Sequence, residues 1–216
     1  MSRQRRSVLG AVAEAVPVLH DTVRVAVDGV DGAGKTVFAD QLGDVLTAAG
    51  RPVIRASVDD FHRPRAERYR RGRDSPIGFW LDSYDYDRFR RELLDPLSPG
   101  GDGVYRRKVH DLFSDQPVAE PPQSCPPGAV LVVDGLFLHR DELRGYWDFS
   151  VWLEVPFAVT AARMVHRDGT SPDPNDPSMA RYVAGQCLYL AKCGPARRAA
   201  VVIDNTDPER PTVVTV

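Results

Sequence analysis

The run Gly29-Val30-Asp31-Gly32-Ala33-Gly34-Lys35-Thr36 restricts this chain more than any other stretch of it. It fits G-x-x-x-x-G-K-[ST], a turn whose glycines let the backbone curl closely around an anion. Val23-Arg24-Val25-Ala26-Val27 before it reads as a buried strand, and Phe38, Leu42, Val45 and Leu46 after it recur at helical spacing. Strand, glycine turn and helix together form the context in which amide N–H groups at a helix start converge on phosphate oxygens. Gly29, Asp31, Gly32, Ala33, Gly34, Lys35, Thr36 and Val37 are therefore expected around the phosphates of a bound nucleotide. Lys35 is expected to reach the β- and γ-phosphates, and Thr36 to place its hydroxyl on Mg²⁺. The bland alternative, a glycine turn that merely joins strand to helix, leaves the full motif in its full context unexplained.

Four more strands follow in the pattern. Val53 to Val58 ends at Asp59-Asp60-Phe61-His62, Val130-Leu131-Val132-Val133 ends at Asp134-Gly135, and Val151 to Val155 and Ala200 to Asp204 complete the set. In open α/β sheets ligands sit beyond the carboxyl ends of the strands, so these terminal carboxylates are placed near the phosphates. Asp59 is expected to take the proton of an attacking hydroxyl, with an N-terminal helix cap as its alternative role. Asp134 ends an apolar strand and is expected to hold Mg²⁺ or its waters beside Thr36. Arg163 and Arg167 lie four apart on one helix face, where two guanidinium groups can clamp a transferring phosphoryl group. Region 163–181, with its prolines and aspartates, reads as a lid, and Arg181 as a third arginine of the site. Asp85 or Asp87 can bind a sugar diol, and either can instead cap a helix. The arginines at 63, 65, 68, 70, 71 and 73 are read as a solvated helix face rather than a contact with phosphorylated substrate or nucleic acid.

Length and composition bound the rest. With 216 residues, 43% hydrophobic and 27% charged, the chain suits one domain. A net charge of −2 creates no field that would draw it to nucleic acid or to an anionic membrane. Its three cysteines, Cys125, Cys187 and Cys193, form no C-x-x-C pair, which suits free thiols in the cytoplasm. Residues 1–21 imitate a leader with Arg3, Arg5 and Arg6 before an apolar run. Glu14 interrupts that run, and an amphipathic helix packed on the domain is expected instead. Residues 104–128 are expected to form a hairpin or arm over the pocket, and Gln116 to Gly128 a proline-rich surface loop.

Taken together, Gly29 to Thr36, Asp59-Asp60-Phe61-His62, Tyr84-Asp85-Tyr86-Asp87, Val132-Val133-Asp134-Gly135 and Ala162 to Asp168 resemble the uridine kinase family of P-loop kinases, in the family's order. The resemblance covers about Val23 to Asn205. It implies a three-layer α/β P-loop nucleoside triphosphate hydrolase fold, with a five-stranded parallel sheet, flanking helices and a lid. It also implies ATP as donor, Mg²⁺, and transfer to a hydroxyl of a small acceptor. Asp59 matches the family's catalytic aspartate, Asp85 its ribose-binding aspartate, and Arg163 and Arg167 its lid arginines. Lys35 completes the catalytic set; Asp60, His62, Asp85, His110 and Arg181 are assigned to the acceptor. His62 stands where the family has tyrosine, and His110 to Asp115 replaces its base-reading segment. Nucleosides, vitamin precursors and phosphorylated sugars all stay open as acceptors.

The alternatives are a nucleotide switch or ATPase acting on a protein partner, and a nucleotide-binding module without catalysis. A GTPase would carry Asn-Lys-x-Asp and a transporter ATPase Leu-Ser-Gly-Gly-Gln; the chain has neither, and Leu97-Ser98-Pro99-Gly100-Gly101 is a superficial likeness. The partner expected is a small molecule, with neither nucleic acid nor membrane, and self-association is left open.

Overall fold

Val23 to Val27 lie in the middle of the central sheet with both faces covered, the arrangement that parallel sheets require, and Arg24 is buried there against Asp148. A computed structural model describes residues 1–215; the side chains of residues 166–168 and 215 lie outside the described residues. The strands are β1 (Val23–Gly29), β2 (Val53–Ser57), β3 (Val104–Tyr105), β4 (His110–Asp111), β5 (Gln116–Pro117), β6 (Gln123–Ser124), β7 (Val130–Gly135), β8 (Phe149–Glu154), β9 (Val201–Asp204) and β10 (Thr212–Thr215). The helices are α1 (Arg3–Ala15), α2 (Lys35–Ala48), α3 (Arg65–Arg68), α4 (Pro76–Asp82), α5 (Tyr86–Phe89), α6 (Phe157–Asp168), α7 (Ala180–Cys193) and α8 (Pro195–Arg198).

The central sheet runs in the order β10-β9-β8-β1-β7-β2. Five of its strands are parallel, as the apolar runs imply, and β10 adds a sixth, antiparallel to β9. Every residue of β1 and β7 is buried, whereas β2 at the edge alternates. Register does the rest. Val27 of β1 and Ser57 of β2 both stand beside Asp134 of β7, so the carboxyl-terminal parts of three strands meet at one rim.

Gly135 makes that rim possible. Its φ is +152°, and a Cβ there would fall 2.1 Å from Val58 Cγ1. With glycine, the 3-10 turn Val58–Phe61 packs over the end of β7 and carries Asp59 to the rim. The region 104–128 is two short ribbons, β3 with β6 and β4 with β5, so the stretch expected as a plain loop from Gln116 to Gly128 contributes two strands of its own. α5 runs into a π-helical turn, Arg90–Leu94, and Phe89, Leu93 and Leu94 are fully buried there. Among the described residues no helix is long and apolar enough to cross a membrane.

Candidate active site

The phosphate loop connects β1 to α2, and Gly34 caps α2 in the left-handed region with φ +89°, a conformation that costs a residue with a Cβ. α2 therefore starts at Lys35 with its first amides open toward the rim. The Lys35 ammonium donates to the Val30 carbonyl across the loop at 2.9 Å. Three side chains from elsewhere brace the loop. Gln186 of α7 accepts from the Asp31 amide at 2.6 Å, Asn205 donates to the Ala33 carbonyl at 2.8 Å, and Arg163 of α6 donates to the Gly32 carbonyl at 3.3 Å. Arg163 also donates to the carbonyls of Asn205 and Thr206.

At the floor, the Thr36 hydroxyl donates to Asp134 Oδ2 at 2.7 Å. Arg55 of β2 donates to Asp134 Oδ1 at 3.0 Å and to Asp40 at 2.8 Å. Asp134 is 2% exposed, so it is a carboxylate fixed in direction by two donors. A hydroxyl and one carboxylate at a phosphate loop fit Mg²⁺, which keeps waters and takes few protein ligands. Among the described residues no group of three or more His, Cys, Asp and Glu side chains is placed to hold a metal ion.

Opposite the loop, Asp59 stands at the rim, exposed to the cavity. Tyr84 donates to its Oδ1 at 2.8 Å, and burial followed by the neighbouring Asp59 charge pushes the Tyr84 phenol well above its ordinary range. The His62 ring donates through Nδ1 to the Asp59 carbonyl at 2.6 Å. Burial lowers the His62 pKa, the nearby Asp59 charge and its hydrogen bond partly offset that, and Arg68 and His110 add to the lowering. Between the two sides lies a cavity of about 580 Å³. Its donor side is lined by Asp31, Gly32, Gly34, Lys35, Thr36 and Val37, with Asp134 and Arg163 beside them. Its far side is lined by Asp59, His62, Arg68, Tyr69, Phe79 and Arg181, closed by Tyr84, Leu112 and Tyr182.

The structure thus gathers Lys35, Thr36, Asp59, His62, Asp134, Arg163 and Arg181 around one space. It does not bring in every residue assigned to the acceptor. Asp60 faces the other way, 3.4 Å from Lys108, with its pKa raised by burial against the pull of that lysine. Asp85 caps α5 by accepting from the Arg88 amide, the alternative role its residue type allowed. His110 is buried away from the cavity, its Nε2 3.4 Å from Asp115. Gly29 and Ala33 support the loop from within the core and do not line the cavity. Arg167 lies outside the described residues. The arginine run is not one solvated face: α3 is a single turn, Arg70 and Arg71 both pair with buried Asp82, and Arg68 turns into the cavity.

Several contributors carried no local sign. Tyr84 sat in a segment read for its carboxylates, and Arg55 and Gln186 sat within an edge strand and a helix. Each acts across at least 25 residues of sequence, so spacing could not find them.

The family model of the phosphoribulokinase/uridine kinase family matches residues 24–172. No curated protein matches the chain. Among solved structures, a possible uridine kinase from Bacillus stearothermophilus superposes with a TM-score of 0.73 at 23% identity, covering 93% of this chain and 97% of that one. A candidate fructose transport system kinase from a Silicibacter species gives 0.67 at 26% identity, covering 85% and 94%. The phosphoribulokinase of Rhodobacter spheroides gives 0.57 at 13% identity, covering 89% and 75%. The first and third likenesses establish the shared fold.

Proposed function

This chain belongs to the phosphoribulokinase/uridine kinase family of P-loop kinases, and we propose that it transfers the γ-phosphoryl group of ATP to a hydroxyl of a nucleoside or related small acceptor. The observation that carries this reading is the shared cavity: Lys35 and the loop stand on one side of it and the Asp59 carboxylate on the other. A phosphoryl donor and an alcohol bound there face each other in line, and in-line positioning is most of what phosphoryl transfer asks of a protein.

In this reading the loop amides and Lys35 hold the β- and γ-phosphates. Asp59, oriented by Tyr84, takes the proton of the acceptor hydroxyl as its oxygen attacks the γ-phosphorus, and ADP leaves. Thr36 and Asp134 would hold Mg²⁺, which when bound neutralises charge on the β- and γ-phosphate oxygens. Arg163 braces the donor side through the Gly32 carbonyl, and Arg167 is proposed as its partner on the transferring group. Residues 163–181 are proposed to close over the cavity and exclude the water that would otherwise be phosphorylated.

Acceptor-stimulated release of ADP, screened over nucleosides, vitamin precursors and sugar phosphates, tests the reading. With an accepted substrate, Asp59→Asn is expected to cut kcat by roughly a hundredfold or more while ATP still binds. Turnover near wild type in that variant would remove Asp59 as the base. ATP hydrolysis that no small acceptor stimulates would favour the switch or ATPase instead.

A further inference from the structure

The far side of the cavity holds more positive charge than a neutral alcohol can use. Arg181 is 6% exposed and Arg68 9%, yet both line the cavity. They converge on one ring: the Arg181 guanidinium carbon lies 4.9 Å from the Tyr69 centroid and that of Arg68 lies 5.6 Å from it. Arg181 also lies 5.6 Å from the centre of the Phe79 ring.

Their partners leave the pair short of negative charge. Arg181 donates to the carbonyls of Ser75 at 3.0 Å, Gly72 at 3.3 Å and Arg68 at 3.4 Å, and it meets no carboxylate among the described residues. Arg68 reaches Asp115 at 3.4 Å, but that carboxylate is already engaged by the Arg65 amide at 2.9 Å. The Nε of Arg68 is buried with no hydrogen-bond partner. Of the two guanidinium groups only Arg68 thus has a carboxylate partner among the described residues, and it divides that partner with the Arg65 amide. Carbonyl dipoles soften the cost of burying them, but a bound anion removes it and uses the planar fork that arginine offers to phosphate and carboxylate alike.

Position decides what that anion belongs to. Arg163, Lys35 and the loop serve the donor side, while Arg68 follows the turn that carries Asp59 and His62, and Arg181 opens the helix facing it. His62 lines the same space, its Nδ1 tied to the Asp59 carbonyl.

We propose that the acceptor is an anion: it presents a phosphate ester or carboxylate to Arg68 and Arg181 while its hydroxyl lies against Asp59. This rests on the kinase reading above and narrows it, because it places neutral nucleosides below charged polyols as acceptors. Tyr69 and Phe79 wall the space between the anion and the hydroxyl.

The test uses the full chain saturated with Mg²⁺ and a non-hydrolysable ATP analogue, so that the donor site is filled. Three probes that share a five-carbon polyol frame are titrated into it: ribitol, ribitol 5-phosphate and ribonate. The expected result is that at least one anion binds roughly tenfold or more tightly than ribitol, and that Arg181→Gln and Arg68→Gln each erase most of that advantage. Affinity for the ATP analogue is expected to stay the same, and Arg181→Lys to retain part of the advantage. The two anions tell phosphate ester from carboxylate. Melting curves of each variant identify any that fails to fold, in which case the other arginine carries the test. Equal binding of ribitol, no binding of either anion at the highest soluble concentration, or an advantage that survives both substitutions would each overturn the proposal. Failure of the ATP analogue to bind at all would instead overturn the kinase reading. A neutral acceptor that is phosphorylated best would leave that reading standing and sink this one.

Discussion

Asp59 and Asp60 are adjacent carboxylates with opposite fates, and the 3-10 turn that holds them is the cause. Asp59 faces the cavity and accepts from Tyr84; Asp60 turns to Lys108. A carboxylate that must take a proton needs a fixed direction, and a buried phenol gives it one without adding charge. His62 works beside them, and its burial has a consequence in acid. The folded-state pKa of His62 is lowered, chiefly by burial, so the unfolded chain takes up the proton first as pH falls. The stability this residue contributes is therefore present above about pH 6.5 and lost as pH drops below it. Melting temperatures followed from about pH 7.5 to pH 5 are expected to fall less steeply for His62→Gln than for the parent chain. Identical slopes would mean that the ring is protonated alike in both states.

At the scale of elements, α1 does more than cover the sheet. Leu9 and Val12 are buried, and α1 packs on α2, the helix that begins at the phosphate loop. Buried Arg5 carries the connection further. It donates to Gln41 on α2 and to Asn205 Oδ1 at 3.1 Å, while Asn205 Nδ2 donates to the Ala33 carbonyl. Three side-chain contacts thus join the N-terminal helix, the end of β9 and the phosphate loop. Arg5→Met is expected to cost about 1.5–3 kcal/mol in denaturant unfolding and to weaken ATP binding several-fold in a calorimetric titration. A stability loss with unchanged nucleotide affinity would show that the bracing stops at Asn205. The α4 region is held by a different device. Asp82 is buried, which favours its neutral form, but Arg70 and Arg71 outweigh that and lower its pKa, so the loop before α4 is tied down by charge. That tie positions the turn whose carbonyls receive Arg181.

Across the whole molecule, one buried carboxylate joins the two sides of the site from beneath. Asp28, fully buried at the end of β1, accepts from His139 Nδ1 at 2.8 Å, from the His139 amide and from the Tyr189 hydroxyl. His139 lies just beyond the turn after β7, and Tyr189 lies on α7, whose Arg181 faces the cavity. Phe137, in that same turn, adopts φ +68° and is held there by Phe79, Trp80, Tyr84 and Tyr189. Backbone strain in a packed residue persists when its surroundings overdetermine it. Tyr189→Phe leaves the aromatic packing but removes one donor from a buried charge, and is expected to lower stability by about 1–3 kcal/mol in thermal or denaturant unfolding. A loss below about half a kcal/mol would mean that His139 and the backbone satisfy Asp28 unaided.

The sequence alone determined whatever is written in consecutive residues. The phosphate loop, the parallel core strands and the carboxylate ending β7 are legible because glycine conformations, amide directions and apolar runs act over a few positions. Tertiary structure decided which side chains meet. It set Asp59 at the cavity and Asp60 against Lys108, made Asp85 a cap, withdrew His110 and turned Arg68 inward while Arg70 and Arg71 went to Asp82. Those choices depend on strand register and on contacts such as Asp115 with α3, between residues tens of positions apart. Residue type does not encode direction at that range; packing does.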